Sequence, residues 1–287
     1  MSWRPTLWRS NSVRRARPAL GTIVDIRASG APTRALDAGI ASAFAAIDQV
    51  HRLMSFHETG SDLSRLNRHA ARELVAVHPW TWQIVQAAKL LWEQTGGLFD
   101  CAVAPALAAA GYLPTSENMP AVHAGARMGD VHLQAAHAVR FARPLLLDLG
   151  GIAKGFAVDR AVDALRASGV PQGAVNAGGD LRLFGERPEP IHVRNPRHPG
   201  ELLSLGEFAD IAVATSAAYF AGRETGGRTV IPIVDPRNGQ LVDDRRSVTV
   251  VASECVFADA LTKPVLLSGS ASPQFLQRFS AQALVLE

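Results

Sequence analysis

The chain has 287 residues, of which 47% are hydrophobic and 19% are charged, and its formal net charge is +3. This composition excludes an intrinsically disordered protein, because a disordered chain carries more charge and fewer apolar residues. The length suits one α/β or α+β domain with a substantial core. The sequence has only two cysteines, Cys101 and Cys255, which excludes a cysteine metal cluster and predicts two buried free thiols.

Residues 1–18 are predicted to form a basic, flexible tail, because arginines and no acidic residues precede Asp25. We expect no nucleic-acid binding, since no further basic block with aromatic residues follows. Arg14 and Arg15 are similar to a twin-arginine export signal, but Asp25 and Arg27 interrupt the apolar run that a signal peptide requires. The sequence as written therefore predicts a cytoplasmic protein without a transmembrane segment, exported to the periplasm only if its start is misassigned.

Residues 19–287 are predicted to form one domain without a dividing linker. In chain order, periodicity and Gly or Pro breaks predict a strand at 20–28, helices at 34–54, 79–95 and 102–110, and a loop at 112–137 with a strand near 131–133. Strands then follow at 139–142 and 145–148, a helix at 153–168, and strands at 173–176, 180–184, 191–194, 211–215, 229–234 and 247–252. Helices at 257–267 and 273–279 and a strand at 282–286 end the chain. The predicted fold class is α+β (mixed α/β), with a mixed sheet flanked by helices.

The strongest chemical signal is the segment around Asp148, where an apolar strand is followed by two glycines and a helix that begins near Ala153. Glycines allow a tight turn and a close approach of the backbone to a ligand. The free N–H groups at a helix N-terminus attract phosphates, and Lys154 adds a positive charge there. The Asp148 carboxylate is an acceptor for a sugar hydroxyl or a ring N–H. An ordinary strand–turn–helix connection explains the same spacing equally well.

Three later segments carry weaker signals. The run Gly178–Asp180 between two strands predicts either a tight hairpin or close contact with a flat ring or a pyrophosphate. Thr215 and Ser216 end an apolar strand and either donate to a phosphate or cap a helix. Asp259 is a lone carboxylate in an apolar helix, so it needs a partner such as Mg²⁺, a helix cap or a salt bridge.

Taken in order, these segments and several others resemble the FAD:protein FMN transferase family, also called the ApbE family. The resemblance covers about residues 19–287. It is carried by LGT (20–22), MSFHETGSDLSRLN (54–67), GGLFD (96–100), DLGGIAKGFAVD (148–159), VNAGGD (175–180), ATSAAYF (214–220), IVDPRNG (233–239) and ADAL (258–261).

The resemblance implies a T-fold-like domain, FAD as substrate and a Mg²⁺-dependent reaction. FMN would pass from FAD to a Thr or Ser hydroxyl of an acceptor protein, and AMP would leave. The residues implied for FAD binding are Leu20, His57, Leu98, Phe99, Asp100, Asp148, Lys154, Gly178, Gly179, Asp180 and Ile233. The implied metal ligands are Asp259, Thr262 and the backbone carbonyl of Gly151, and the implied catalytic residues are Asp259 and Thr262.

Some positions depart from the family pattern. Leu20 stands where the family usually has Met, His57 where it often has Tyr, and Pro232 where it usually has His. The first change keeps an apolar contact, whereas the second is expected to weaken stacking on the flavin ring.

The most consequential departure is Lys263, which stands where the family has a metal-binding Thr or Ser. Thr262 would replace that ligand only if Pro264 distorts the helix. The Lys263 ammonium would either weaken Mg²⁺ binding or partly replace the ion electrostatically. Two alternatives to a transferase therefore stay open: a non-catalytic FAD carrier, and a Mg²⁺-dependent FAD pyrophosphatase that releases FMN and AMP to water.

Overall fold

The computed structural model describes residues 11–115, 121–198, 200–217, 223–225 and 228–287. Its helices are α1 (Thr33–Met54), α2 (Asp62–His69), α3 (Pro79–Gln94), α4 (Ala104–Ala109), α5 (Ala153–Ala167), α6 (Cys255–Ser268) and α7 (Phe275–Arg278). Within the described ranges, each helix is too short or too polar to span a lipid bilayer.

The strands pair into one large sheet and several small ones. They are β1 (Ser12–Ala19), β2 (Thr22–Ser29), β3 (Val75–Ala76), β4 (Val131–Gln134), β5 (Ala138–Phe141), β6 (Gln172–Ala177), β7 (Asp180–Phe184), β8 (Glu189–Arg194), β9 (Leu202–Phe208), β10 (Ala212–Ala217), β11 (Arg223–Thr225), β12 (Arg228–Asp235), β13 (Gln240–Asp243), β14 (Ser247–Ala252) and β15 (Gln282–Leu286). The large sheet has seven strands in the order β1-β2-β6-β7-β10-β14-β15, and β3-β5-β4, β11-β12-β13 and β8-β9 form the small sheets. The α+β prediction is confirmed. The seven strands pair antiparallel throughout, which refines the predicted mixed sheet.

Side chains alternate between the two faces of the central sheet, as the pleat of a strand requires. On β7, Phe184 joins the large core, whereas Leu183 joins a small apolar cluster with Ile191 of the β8–β9 hairpin. Helices α1, α5 and α6 pack on the face that carries Phe184. The polar side chains of β7 that share this face are Asp180 and Arg182. They therefore point at α5, where Asp180 pairs with Lys154 and Arg182 pairs with Asp159.

Two predictions about regular structure are wrong. Residues 12–18 belong to β1 and are not a tail, because Val13 is buried and the strand pairs with β2 along its whole length. Arginines of this strand pair with Asp25 on β2 and with Asp37 and Asp48 on α1, partners that the basic run alone does not reveal. The rest of the predicted tail, residues 1–10, lies outside the described residues.

The segment 145–148 does not form a strand, although Leu145, Leu146 and Leu147 are buried. The side chain of Asn67 accepts from the backbone N–H of Leu147 at 2.8 Å and donates to its carbonyl at 2.9 Å. The Asp148 N–H donates to the Cys101 carbonyl at 2.8 Å. These bonds replace a strand ladder, and a short apolar run cannot distinguish the two arrangements. The predicted thiols are confirmed, since Cys101 and Cys255 are both free and buried.

Candidate functional site

The turn after Asp148 directs the chain into α5. Burial raises the pKa of the Asp148 carboxyl, although a hydrogen bond from the Gly150 backbone and the charges of His57 and Lys263 oppose that rise. A Cβ atom at Gly150 would lie 3.0 Å from Asp148 Oδ2, so the carboxylate fits closely over this glycine. His57 itself is exposed.

The N-terminus of α5 faces a carboxylate from α6. The Gly155 N–H donates to Asp259 Oδ2 at 3.1 Å, and α5 has no side-chain cap of its own. A negative charge at this end of a helix is favourable, because the first N–H groups lack partners within the helix. The two helices approach closely here: a Cβ atom at Gly155 would lie 2.2 Å from the Cys255 carbonyl oxygen. Glycine at position 155 therefore sets the spacing between α5 and α6.

Four charged side chains meet beside this contact, and we call Lys154, Asp180, Asp259 and Lys263 the charged cluster. Lys154 Nζ donates to Asp180 and lies 3.6 Å from Asp259 Oδ2. Lys263 Nζ donates to Asp259 Oδ1 and, at 2.8 Å, to the Asp259 backbone carbonyl. The side chains of Asp180 and Asp259 are only 3% and 1% exposed, so each depends on its ammonium partner.

The ionisation of the charged cluster follows from these contacts. Burial alone would raise the pKa of Asp259, but the ammonium groups of Lys154 and Lys263 hold that pKa below its ordinary value. Burial and the neighbouring Asp259 raise the pKa of Asp180 to about 6. Burial alone would lower the pKa of Lys154, yet the two carboxylates raise it above its ordinary value. Asp259 and Lys154 are therefore ionised at neutral pH.

A cleft beside the charged cluster brings together distant parts of the chain, and we call it the apolar slot. Its lining is Leu98, Phe99, Asp100, Cys101, Val103, Leu107, Asp148, Gly151, Pro232, Ile233, Val234, Pro236 and Lys263. Gly151 and Lys263 lie where the slot meets the cluster. A Cβ atom added to Gly151 would lie 3.5 Å from Lys263 Cε. Six predicted site residues, Leu98, Phe99, Asp100, Asp148, Gly151 and Ile233, thus share one cleft.

Asp100 lies at the buried side of the slot. Its Oδ1 accepts from the backbone N–H of Ala102 at 2.7 Å and of Met128 at 3.1 Å. Burial raises the pKa of its carboxyl to about 6, although these hydrogen bonds oppose the rise. The hydrogen bonds of Asp100 therefore connect the segment 98–102 to the turn at 128–130.

Leu20, Gly178 and Gly179 lie in hairpin turns at one end of the central sheet. Leu20 and Gly21 connect β1 to β2 with φ values of 52° and 73°, and Gly178 and Gly179 connect β6 to β7 with φ values of 65° and 104°. Two-residue hairpin turns require such positive φ values. A Cβ atom at Gly178 would lie 2.5 Å from Thr22 Oγ1, so the turns are adjacent. The hairpin interpretation of Gly178–Asp180 is correct, and flavin contact by these turns stays a prediction.

Thr262 does not reach the Asp259 carboxylate. It is fully buried, and its hydroxyl donates to the Asp259 backbone carbonyl at 2.7 Å and bonds Ser216 Oγ at 2.8 Å. Helix α6 continues through Pro264, so the structure shows no break that would turn Thr262 outward. Thr215, at the same strand end, bonds Thr249 Oγ1 at 2.8 Å. Lys263 is the residue that contacts the carboxylate.

The donor set expected for Mg²⁺ is not assembled. Among the described residues, no group of three or more His, Cys, Asp or Glu side chains is placed to hold a metal ion. Asp259 Oδ1 accepts from Lys263 and Oδ2 accepts from the Gly155 N–H. The residues present therefore do not fit a divalent cation without rearrangement.

Asp159, which we did not single out from the sequence, ties three elements of the site together. Its carboxylate on α5 accepts from the first N–H groups of α6, at 3.0 Å from Cys255 and 2.8 Å from Val256, and pairs with Arg182 on β7. Burial raises the pKa of this carboxyl, and Arg182 opposes that rise. The sequence signal was weak, because α5 also carries Lys154, Arg160, Asp163 and Arg166, so Asp159 does not stand out as a lone carboxylate.

Comparison with known proteins gives a consistent picture. The sequence profile of the ApbE family matches residues 20–285. An FAD:protein FMN transferase of Vibrio cholerae is 30% identical over 240 residues, covering 78% of this chain and 71% of that protein. One of Treponema pallidum is 28% identical over 287 residues, covering 89% and 78%.

Solved structures are similar over nearly the whole chain. The flavin transferase ApbE from Vibrio cholerae superposes with a TM-score of 0.79 at 26% identity, covering 96% of this chain and 93% of that one. The ApbE protein from Thermotoga maritima superposes with a TM-score of 0.80 at 28% identity, covering 96% and 94%.

Proposed function

We propose that this chain, which belongs to the ApbE family, is an FAD:protein FMN transferase. One observation carries the proposal: Lys263, a member of the charged cluster, also lines the apolar slot. FAD combines a flat, largely apolar ring with two phosphates. The slot and the cluster match these two parts, and Lys263 lies where they meet.

In the proposed reaction, the hydroxyl oxygen of a Thr or Ser of an acceptor protein attacks the FMN-side phosphorus of FAD. A new P–O bond forms to the acceptor, and the bond from that phosphorus to the bridging oxygen breaks. AMP leaves with the bridging oxygen, and the hydroxyl proton passes to a base. No oxidation or reduction occurs, so FAD and the acceptor are the only reactants.

The ammonium groups of the charged cluster supply the electrostatic part of this reaction. Lys154 and Lys263 are placed to donate to phosphate oxygens and to stabilise the charge that develops on the leaving AMP. Asp180 and Asp259 hold these ammonium groups in position. Because Asp259 stays ionised and fully bonded, we assign it this positioning role and not that of the base. The Thr262 hydroxyl donates to the backbone carbonyl of Asp259 and so helps to hold Asp259 in position.

The apolar slot supplies binding. Phe99 and Ile233 provide apolar surface for the flavin ring, and Asp148 at the edge of the slot provides an acceptor for a ring N–H or a ribityl hydroxyl. Leu20 lies in the β1–β2 turn and His57 is exposed after α1, and we expect both to border the ring from outside the slot. We assign no step of the reaction to Mg²⁺, because the oxygens of Asp259 already have partners.

The test uses purified full-length protein, FAD and an acceptor domain that a characterised ApbE-family transferase flavinylates. We expect the acceptor to gain the mass of one FMN moiety while an equal amount of AMP appears. A matched acceptor with Val in place of its modified Thr stays unlabelled. FMN and AMP released without any acceptor would support the pyrophosphatase alternative, and tight FAD binding without products would support the carrier alternative. Either result would overturn the proposal.

A further inference from the structure

We propose that the Lys263 ammonium takes the place of a divalent cation beside Asp259, so that this chain holds its phosphate ligand without a metal ion. The identity of that ligand, FAD, rests on the proposed function. The metal-free character of the charged cluster does not, because it follows from contacts in the protein alone.

Lys263 already contacts the oxygens that a metal ion would use at Asp259. Its Nζ donates to both Asp259 Oδ1 and the Asp259 backbone carbonyl. A hard cation prefers carboxylate and carbonyl oxygens of this kind. The remaining carboxylate oxygen accepts from Gly155. A metal ion would have to displace an ammonium whose side chain is only 17% exposed and which sits on the adjoining helical turn.

The charges of the cluster also oppose the binding of a metal ion. Two carboxylates, of Asp180 and Asp259, face two ammonium groups, of Lys154 and Lys263, so the charged cluster is neutral as it stands. Adding a divalent cation would leave a net charge of about +2 in a poorly solvated place, which is costly. Without the Lys263 charge, two buried carboxylates would face Lys154 alone. That excess of negative charge would attract a cation, so Lys263 decides whether the cluster binds metal.

Lys263 lines the apolar slot and lies beside Gly151, where a Cβ atom would be in van der Waals contact with Lys263 Cε. An ammonium group has three donors, and among the described residues two of them are used, both by Asp259. The third is available to a phosphate oxygen at the junction of slot and cluster. The lysine thus links Asp259 to the ligand, as a bridging metal ion would.

The test compares Lys263→Met, which keeps the side chain up to Cε but lacks the ammonium group, with Lys263→Arg, which keeps the charge. Mn²⁺ titration of the FAD-free protein, followed by electron paramagnetic resonance, should show no stoichiometric binding to wild type or Lys263→Arg. Lys263→Met should bind one Mn²⁺ per chain. Stoichiometric Mn²⁺ binding by wild type would overturn the proposal, and this arm requires neither FAD nor any variant that folds poorly.

A second arm follows FAD binding by flavin fluorescence with EDTA and then with excess Mg²⁺. The wild-type Kd should not change between the two conditions. For Lys263→Met we expect FAD binding about tenfold weaker in EDTA, equivalent to one charge-assisted hydrogen bond, and recovery with Mg²⁺. Wild-type binding that collapses in EDTA would contradict the inference. If no variant binds FAD under any condition, the proposed function fails, while the Mn²⁺ titration still decides the role of Lys263.

Discussion

The charged cluster and the apolar slot share Lys263 but are built from different parts of the fold. The cluster draws its side chains from α5, β7 and α6, elements that pack in the central core. The slot draws on the 98–107 segment, the turn before α5 and β12 of a small peripheral sheet. Positions in the core are held by many neighbours, so a change there alters geometry and stability together. Partly exposed positions in the slot, such as Ile233, can change binding while the fold persists.

The largest effect is expected for Gly155→Ala. The added Cβ atom would lie 2.2 Å from the Cys255 carbonyl oxygen and 2.8 Å from Asp259 Cβ, so α5 and α6 must separate. We expect a loss of about 3 kcal/mol in the free energy of unfolding, at the upper end for overpacking, and a fall of flavin transfer by about a hundredfold. Urea unfolding and transfer assays measure both. Gly200→Ala is the control, because a Cβ atom there has no neighbour within 4 Å. Equal behaviour of the two variants would show that this helix contact is not critical.

Asp159→Asn tests how much the carboxylate that connects α5, α6 and β7 beside the charged cluster stabilises the fold. The amide cannot balance the charge of Arg182 and accepts less strongly from the N–H groups of Cys255 and Val256. We expect the free energy of unfolding to fall by about 3 kcal/mol. Asp163→Asn on the same helix, where the carboxylate is 50% exposed, should cost under about 0.5 kcal/mol. Thermal or urea unfolding measures the stability of both variants. Similar losses in the free energy of unfolding would show that Asp159 has no special role.

Asp100, which lines the slot, is expected to make the stability of the fold depend on pH. Because burial raises the pKa of its carboxyl from 3.8 to about 6, the folded chain keeps a proton that the unfolded chain loses between these values. The contribution of this group to stability is therefore full below pH 4, falls as pH rises to about 6, and totals on the order of 3 kcal/mol. Asp100→Asn cannot titrate and should lack this part of the slope. Parallel wild-type and variant stability curves between pH 4 and 7 would argue against a raised pKa.

The smallest effect is expected for Ile233→Ala in the apolar slot. Ile233 is partly exposed at the slot and packs only at the margin of the core. We expect FAD to bind about tenfold more weakly, through lost apolar contact, with a loss of stability of about 1 kcal/mol. Leu202→Ala on the exposed β9 strand, 60% exposed, is the control for removing an apolar side chain. A collapse of stability with unchanged FAD affinity would place Ile233 in the core and not in the binding site.

Sequence patterns predicted most of the regular structure because local signals are strong there. Helix α1 follows from the spacing of Leu36, Ile40, Phe44 and Ile47, all buried on one face. Strand β1 was missed because the acids that pair with its arginines include residues of α1, brought close only by folding. The 145–148 segment was misread because its backbone partners include Asn67, distant in the chain.

The site residues also divide into those that local sequence signals predict and those that come together only on folding. Lys154 and the Asp148 turn stand out locally, through a glycine pair at a helix start. The slot does not, because residues 98–100, 148 and 233 meet only in the folded chain, and their grouping was implied by the family resemblance. Asp159 was overlooked because α5 carries other charged residues, among them Asp163, so its carboxylate does not stand out in the sequence as that of Asp259 does. The contact between Lys263 and Asp259 was anticipated in part, since their spacing places them on adjoining turns of one helix.

The most direct test of the account is flavin transfer by the wild-type protein in excess EDTA, followed by the intact mass of the acceptor domain. We predict that the acceptor gains one FMN moiety at a rate within about twofold of that with added Mg²⁺, because two lysines supply the positive charge at the phosphates. Labelling that stops in EDTA and returns with Mg²⁺ would contradict this and restore a metal-dependent site at Asp259.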